Sequence, residues 1–314
     1  MQEIIGVGLV NKDCVAQVRA WERDEKTTAD VYLEQVGGPV PVALATLARL
    51  GEKTKPLLFS VIGGDHDGAQ IVGWLAEEGL DTSLLQRDGA ATATSKSLVI
   101  VDSRDASRTL VNVAAHLPPI QITDSHRVRL AGSRLLHLDG RDLPACLVAA
   151  RIVKEAGGTV SLDLGTMRPG TEELLPLCDI ILASKKGAAG AFPAVADSPL
   201  HQVQEFLQLG ATIAGVTLGR NGVVIGFRDE ADTRIQKLPA VPCPDAIDSC
   251  GAGDVFHGAF LWSYLQGSDP LACAHFAQAA ASLRLRRLGN RIGIPEHAEV
   301  DALVKAQGKQ PGLD

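Results

Sequence analysis

The chain has 314 residues, of which 46% are hydrophobic, enough for one large α/β domain or two ordinary ones around a sizeable core. Its formal charge of −7 is spread along the sequence, and no basic run lies beside aromatic residues, which excludes nucleic acid as an expected partner. Six scattered cysteines (Cys14, Cys146, Cys178, Cys243, Cys250 and Cys273) make no CxxC pair and no zinc spacing, so reduced cytosolic thiols are expected.

In chain order, residues 1–8 read as a strand without the basic flank or long apolar region of a signal peptide. No apolar stretch reaches the roughly 18 residues that span a membrane, so a cytoplasmic protein is expected. Two stretches, 14–36 and 93–113, break the later rhythm. In the second, strand-like residues 97–101 and 109–113 flank a polar turn at 102–107. They fit a small accessory sheet or plain surface hairpins.

Residues 142–156 carry apolar positions at helical spacing, Gly157-Gly158 ends the helix, and 159–164 read as a buried strand. Asp163 then falls near the strand's carboxyl end, where open α/β sheets bind their ligands. Strands follow at 179–183 and 213–218, then a turn at 219–222 and an antiparallel pair at 223–227 and 233–238. Strands alternating with helices predict βαβ units and a mostly parallel sheet.

The chemistry concentrates at residues 245–254, where Gly251-Ala252-Gly253-Asp254 runs into an apolar helix at 255–262. Small residues there let backbone N–H groups approach an anion, and the helix dipole favours phosphate charge. Asp254 could orient and deprotonate a hydroxyl for phosphoryl transfer, or simply cap the helix.

Asp248-Ser249-Cys250-Gly251-Ala252-Gly253-Asp254 resembles the D-T-x-G-A-G-D signature of the ribokinase-like (PfkB) carbohydrate kinases, with serine for threonine. The family's N-terminal hallmark resembles Gly37-Gly38, the run Leu47-Ala48-Arg49-Leu50-Gly51, and Val61-Ile62-Gly63-Gly64-Asp65 with Gly68. Residues 8–13, 217–222 and 289–295 look like the first strand with its sugar-binding Asp, the nucleotide loop and the usual C-terminal end. His137-Leu138-Asp139-Gly140-Arg141 and Ala183-Ser184-Lys185-Lys186 look like ketohexokinase, and residues 253–259 are similar to sulfofructose kinases.

The resemblance implies a three-layer α/β/α fold with a central, mainly parallel sheet. It implies one domain over 1–314, with lid strands from 14–36 and 93–113 that join a homodimer. It implies Asp254 as base, Gly251, Ala252 and Gly253 as phosphoryl donors, and Arg168 near the phosphates. Asn11, Asp13, Gly37, Gly38, Arg108 and Arg141 would meet the substrate. Ser184, Lys185, Thr217, Gly219, Gly222 and Gln278 would meet ATP, Mg2+ would arrive on the nucleotide, and an alkali cation such as K+ would sit near Asp248 and Ser249.

Two departures matter. Pro39-Val40-Pro41-Val42 follows Gly37-Gly38 where the family commonly has asparagines, so an apolar wall is expected at the substrate, and Ser184-Lys185-Lys186-Gly187 lacks the carboxylate of the N-x-x-E motif. The expected activity is ATP-dependent phosphorylation of a hydroxymethyl group on a small sugar or derivative, ketohexose-like first. The alternatives are a nucleoside or vitamin kinase, and a sugar- or nucleotide-binding protein that has lost catalysis.

Overall fold

The computed structural model describes residues 3–51, 53, 55–229 and 232–307. Met1 and Gln2 of the predicted first strand, and residues 308–314 of the predicted domain, lie outside the described residues. In chain order the elements are β1 (Glu3–Val7), β2 (Asn11–Val18), β3 (Val31–Gly37), α1 (Pro39–Arg49), β4 (Leu57–Phe59), β5 (Val61–Ile62), α2 (His66–Glu77) and β6 (Gln86–Arg87). Then come β7 (Lys96–Asp102), β8 (Ser107–Val113), α3 (Asp124–Ala131), β9 (Ser133–Leu138), α4 (Leu143–Glu155) and β10 (Thr159–Leu164). The chain closes with β11 (Ile180–Ser184), α5 (Lys185–Ala191), α6 (Pro199–Gln208), β12 (Ile213–Thr217), β13 (Val223–Asp229), β14 (Asp232–Leu238), α7 (Ala252–Leu265), α8 (Pro270–Arg284) and α9 (His297–Gln307).

The large sheet has the order β14-β13-β12-β11-β10-β9-β1-β4. Its pairs from β4 to β12 are parallel, and β13 and β14 are antiparallel. Both faces are buried, because adjacent strand residues serve opposite cores: Ile4 and Ile180 pack on one side, Ile5 and Ile181 on the other. That is why these strands read as continuous apolar runs. One core is completed by α1, α2, α7, α8 and α9, the other by α3, α4, α5 and α6, which makes three layers.

A second sheet has the order β3-β2-β7-β8. Its first strand begins earlier than the sequence pattern indicated, at Asn11, the strand of the second stretch begins later than residue 93, at Lys96, and residues 19–30 leave the sheet as a loop. Lys12 on β2, itself buried, anchors the sheet to the main body through Asp67 of α2 at 2.7 Å, and pairs with Glu34 of the neighbouring β3 at 2.6 Å. Its loss of water is offset by two carboxylates and a bond to Gln70. Among the described residues no helix is long and apolar enough to cross a membrane.

Candidate active site

The parallel strands all point their carboxyl ends at one edge, so the loops after β1, β9, β10, β11 and β12 gather there. Asp139 follows β9 and Asp163 lies near the end of β10. Across from them, α7 begins at a left-handed Gly251 with φ 74°, and no side chain caps the helix. A side chain there would be strained, and its Cβ would fall 2.5 Å from the Cβ of Asn290. The first N–H groups of a helix have no intrahelical acceptor, so the helix opens with such groups at Ala252, Gly253 and half-buried Asp254.

Asp254 is pushed up to about 7 by burial, with the charge of Asp163 adding and Arg108, Arg284 and Arg141 opposing. Asp163 is also raised to about 7, by burial and then by Asp139, and lies 3.4 Å from Nε2 of His257. Burial holds that imidazole down at about 3, hence neutral. Asp139 accepts the N–H groups of Leu9 and Arg141. A carboxylate poised near neutrality beside free helix N–H groups can take a proton from a hydroxyl while those groups hold anionic oxygens.

Asn11 and Asp13, which the resemblance groups with the first strand, lie outside it; β1 stops at Val7 and both residues belong to β2 of the small sheet. Asp13 accepts Nδ2 of Asn11 at 2.6 Å and Nδ2 of Asn290 at 3.0 Å. Burial lifts it to about 7 despite the Asn11 bond, with the charge of Asp254 contributing. Gly37, opposite Asn11 in register, makes room for that carboxylate, since a Cβ there would fall 2.2 Å from it. Gly38 is the N-cap of α1. Of the expected apolar wall, Val40 packs under Gly6 and Gly8 and Val42 belongs to the core, because helix α1 turns these positions toward the large sheet.

Arg108 on β8 donates through Nη1 to Oγ of Ser249 at 3.1 Å, and Ser249 N–H donates to Ala106 O. The β7–β8 hairpin therefore touches the glycine turn. Arg141 stands 4.0 Å from Asp139, and Arg168 donates to Thr166 O. Burial lowers the Arg168 pKa, and the neighbouring charge of Arg141 lowers it further. A cavity of about 480 Å³ adjoins this group and is lined by Gly8, Leu9, Ser95 and Arg141 among others, but by neither Asp13 nor Asp254.

Of the residues expected to meet ATP, Ser184 and Thr217 are register partners at the ends of β11 and β12. Ser184 caps α5, whose first residue is Lys185, and its Oγ donates to Gly165 O. Gly219 and Gly222 flank the turn before β13 and both have positive φ. Gln278 sits apart on α8, and its buried Nε2 has no hydrogen-bond partner among the described residues. No group of three or more His, Cys, Asp or Glu side chains that could hold a metal ion occurs among the described residues.

The alkali cation expected near Asp248 and Ser249 does not fit. The Asp248 carboxylate accepts Nη2 of Arg284 at 2.8 Å, Gly289 N at 2.8 Å and Cys250 N at 2.7 Å, and its carbonyl accepts Nη1 of Arg284 at 3.4 Å. A guanidinium fills the place. Sequence reading missed Arg284 because, in Arg284-Leu285-Arg286-Arg287, it looks like an ordinary basic helix end. It also missed Asn290, which only the meeting of distant segments brings to Asp13.

A family model described as pfkB family carbohydrate kinase matches residues 1–297. The chain is 28% identical to a ribokinase of Haemophilus influenzae, over 93% of this chain and 95% of that one. It is 24% identical to a nucleoside kinase of Methanothermobacter thermautotrophicus, over 99% of both. It is similar in fold to Arabidopsis thaliana ribokinase, solved with ribose and ATP, at TM-score 0.77 and 22% identity over 97% and 99% of the two chains.

Proposed function

This chain belongs to the pfkB family of carbohydrate kinases, and from that premise we propose that it moves the γ-phosphoryl group of MgATP to a hydroxymethyl group of a small, ketohexose-like sugar or derivative. It is a kinase of the sugar- and nucleoside-phosphorylating kind, so the non-catalytic alternative falls away. One arrangement carries the reading: Asp254 stands in the first turn of α7, three residues after the left-handed Gly251 and within the field of Arg108, Arg284 and Arg141.

In this reaction Asp254 takes the acceptor's proton as the hydroxyl attacks. The N–H groups at the start of α7 receive the charge on the transferred group, and Arg141 and Arg168 add positive field. Asp13, held by Asn11 and Asn290, accepts hydrogen bonds from acceptor hydroxyls. Ser184, Lys185, Thr217, Gly219 and Gly222 hold ATP, and Gln278 offers its free amide to the base. A nucleoside acceptor is the second reading, favoured by the full-length likeness to a nucleoside kinase.

The test is ADP release with ketohexoses, pentoses, sugar acids and nucleosides, each beside Asp254→Asn. Turnover with one acceptor group should fall by about 10²–10⁴-fold in the variant, with circular dichroism unchanged. Undiminished turnover would remove Asp254 as the base.

Tyr32, Leu98, Val111 and Val113 stand exposed on the outer face of the small sheet, which supports pairing of two copies there. Light scattering should give a two-copy mass for the protein and a one-copy mass for Val111→Lys; a one-copy mass for the unaltered protein would exclude the pairing. Six free thiols and the need for ATP support a cytoplasmic place of action.

A further inference from the structure

Arg284 is fully buried, and so is the Asp248 side chain it meets. Burying a guanidinium costs several kcal/mol unless its donors and charge are satisfied, so what surrounds it defines its use. Nη1 donates to the carbonyls of Asp248 and Arg287, at 3.4 and 2.7 Å, and Nη2 donates to the Asp248 carboxylate at 2.8 Å. Nε is buried without a partner among the described residues.

Two glycines wall this group. A Cβ on Gly293 would fall 2.6 Å from Cδ and 2.9 Å from Nε of Arg284, and a Cβ on Gly251 would fall 3.7 Å from Nε. The guanidinium therefore lies directly behind the left-handed turn that opens α7. Its charge also acts on Asp254 at the front of that turn.

A carboxylate and two carbonyl oxygens gather around this one guanidinium, hard oxygen donors of the kind that hold metal cations. Here a side chain of the protein completes the set. We propose that Arg284 is a tethered internal cation that stiffens the Gly251 turn and adds positive field behind the transferred phosphoryl group, so that phosphoryl transfer needs no alkali ion. Arg284 touches neither acceptor nor nucleotide and is a positioning residue. The inference rests on the kinase reading given above, but its test separates from it.

ADP release is measured in tetramethylammonium chloride, KCl, NaCl and CsCl at equal ionic strength, together with the thermal midpoint in each salt. The rates should agree within about twofold and the midpoints within about one degree, since Arg284 already occupies the oxygen set at Asp248. Stimulation by K+ of about tenfold or more, or a K+-specific rise in midpoint, overturns the proposal. If no acceptor is turned over, the kinase reading fails, while the midpoints still decide the ion question.

Arg284→Met should lower kcat by about 100-fold with KM for ATP within about threefold, and added K+ or guanidinium should restore kcat by at least about tenfold, refilling the vacated oxygen set. Arg284→Lys, which keeps the charge, should retain at least about a tenth of kcat. Losses in both variants that follow a lowered thermal midpoint, with no rescue by either ion, would reduce Arg284 to a structural residue and overturn the proposal.

Discussion

Asp13, Asp163 and Asp254 each sit near 7, and each is raised chiefly by burial. They influence one another, so the proton-linked steps belong to the group and not to one carboxylate. A base must be ionised to act, so kcat/KM should be full at pH 8 and fall as pH drops through about 7, by about tenfold per unit at the acid end. A pH–rate profile that stays flat from pH 8 to about 5.5, near the ordinary carboxylate range, would mean that the proton acceptor is an unperturbed group. His257 cannot supply this limb, because burial holds it at about 3.

At the scale of elements, the β7–β8 hairpin joins two regions that the chain separates by well over a hundred residues. On the inner face of the small sheet, Gln35, Asp13, Ser97 and Asn112 form one cross-strand row. Beside it Val15, Val99 and Val101 pack on Cys250 of the glycine turn. In the proposed reaction substrate hydroxyls would meet the polar row, while the apolar row packs against the turn. Arg108→Ala removes one hydrogen bond to Ser249 and a charge near Asp254. Steady-state kinetics should show a rise in acceptor KM of about 3–10-fold, the worth of one such bond, with the thermal midpoint nearly unchanged. A large fall in midpoint would instead make this contact a fold determinant.

For the whole molecule, buried titratable groups set how stability depends on pH. Asp13 and Asp163 have folded values above their unfolded ones, so the folded chain binds more protons than the unfolded chain between pH 4 and 8, and stability grows as pH falls through 7. His137 and His257 are lowered by burial, so below about 6.5 the unfolded chain takes up protons that the folded chain refuses, and the gain is cancelled. Without ligands, thermal scans should show about 1–2 kcal/mol of added stability from pH 8 to 6.5 and a plateau or decline below. A midpoint that climbs steadily with pH across that range would contradict the buried, uncompensated state of these carboxylates.

Local signals determined much of this protein. Apolar runs at strand spacing, the Gly157-Gly158 stop and the glycine-rich start of α7 each depend on neighbours within a few residues, and they indicated the parallel sheet, the β13–β14 pair and the Asp254 turn. Other features depend on contacts between segments far apart in the chain. Only the assembled sheets decided that Asn11 and Asp13 belong to β2, that Val40 and Val42 face the core, and that Asn290 props Asp13. Only packing of the α8 end beneath Gly251 and Gly293 turned Arg284 from an apparent surface charge into a buried cation. A residue's burial and charge partners are set by what the rest of the chain brings to it, and that information is not carried by local sequence.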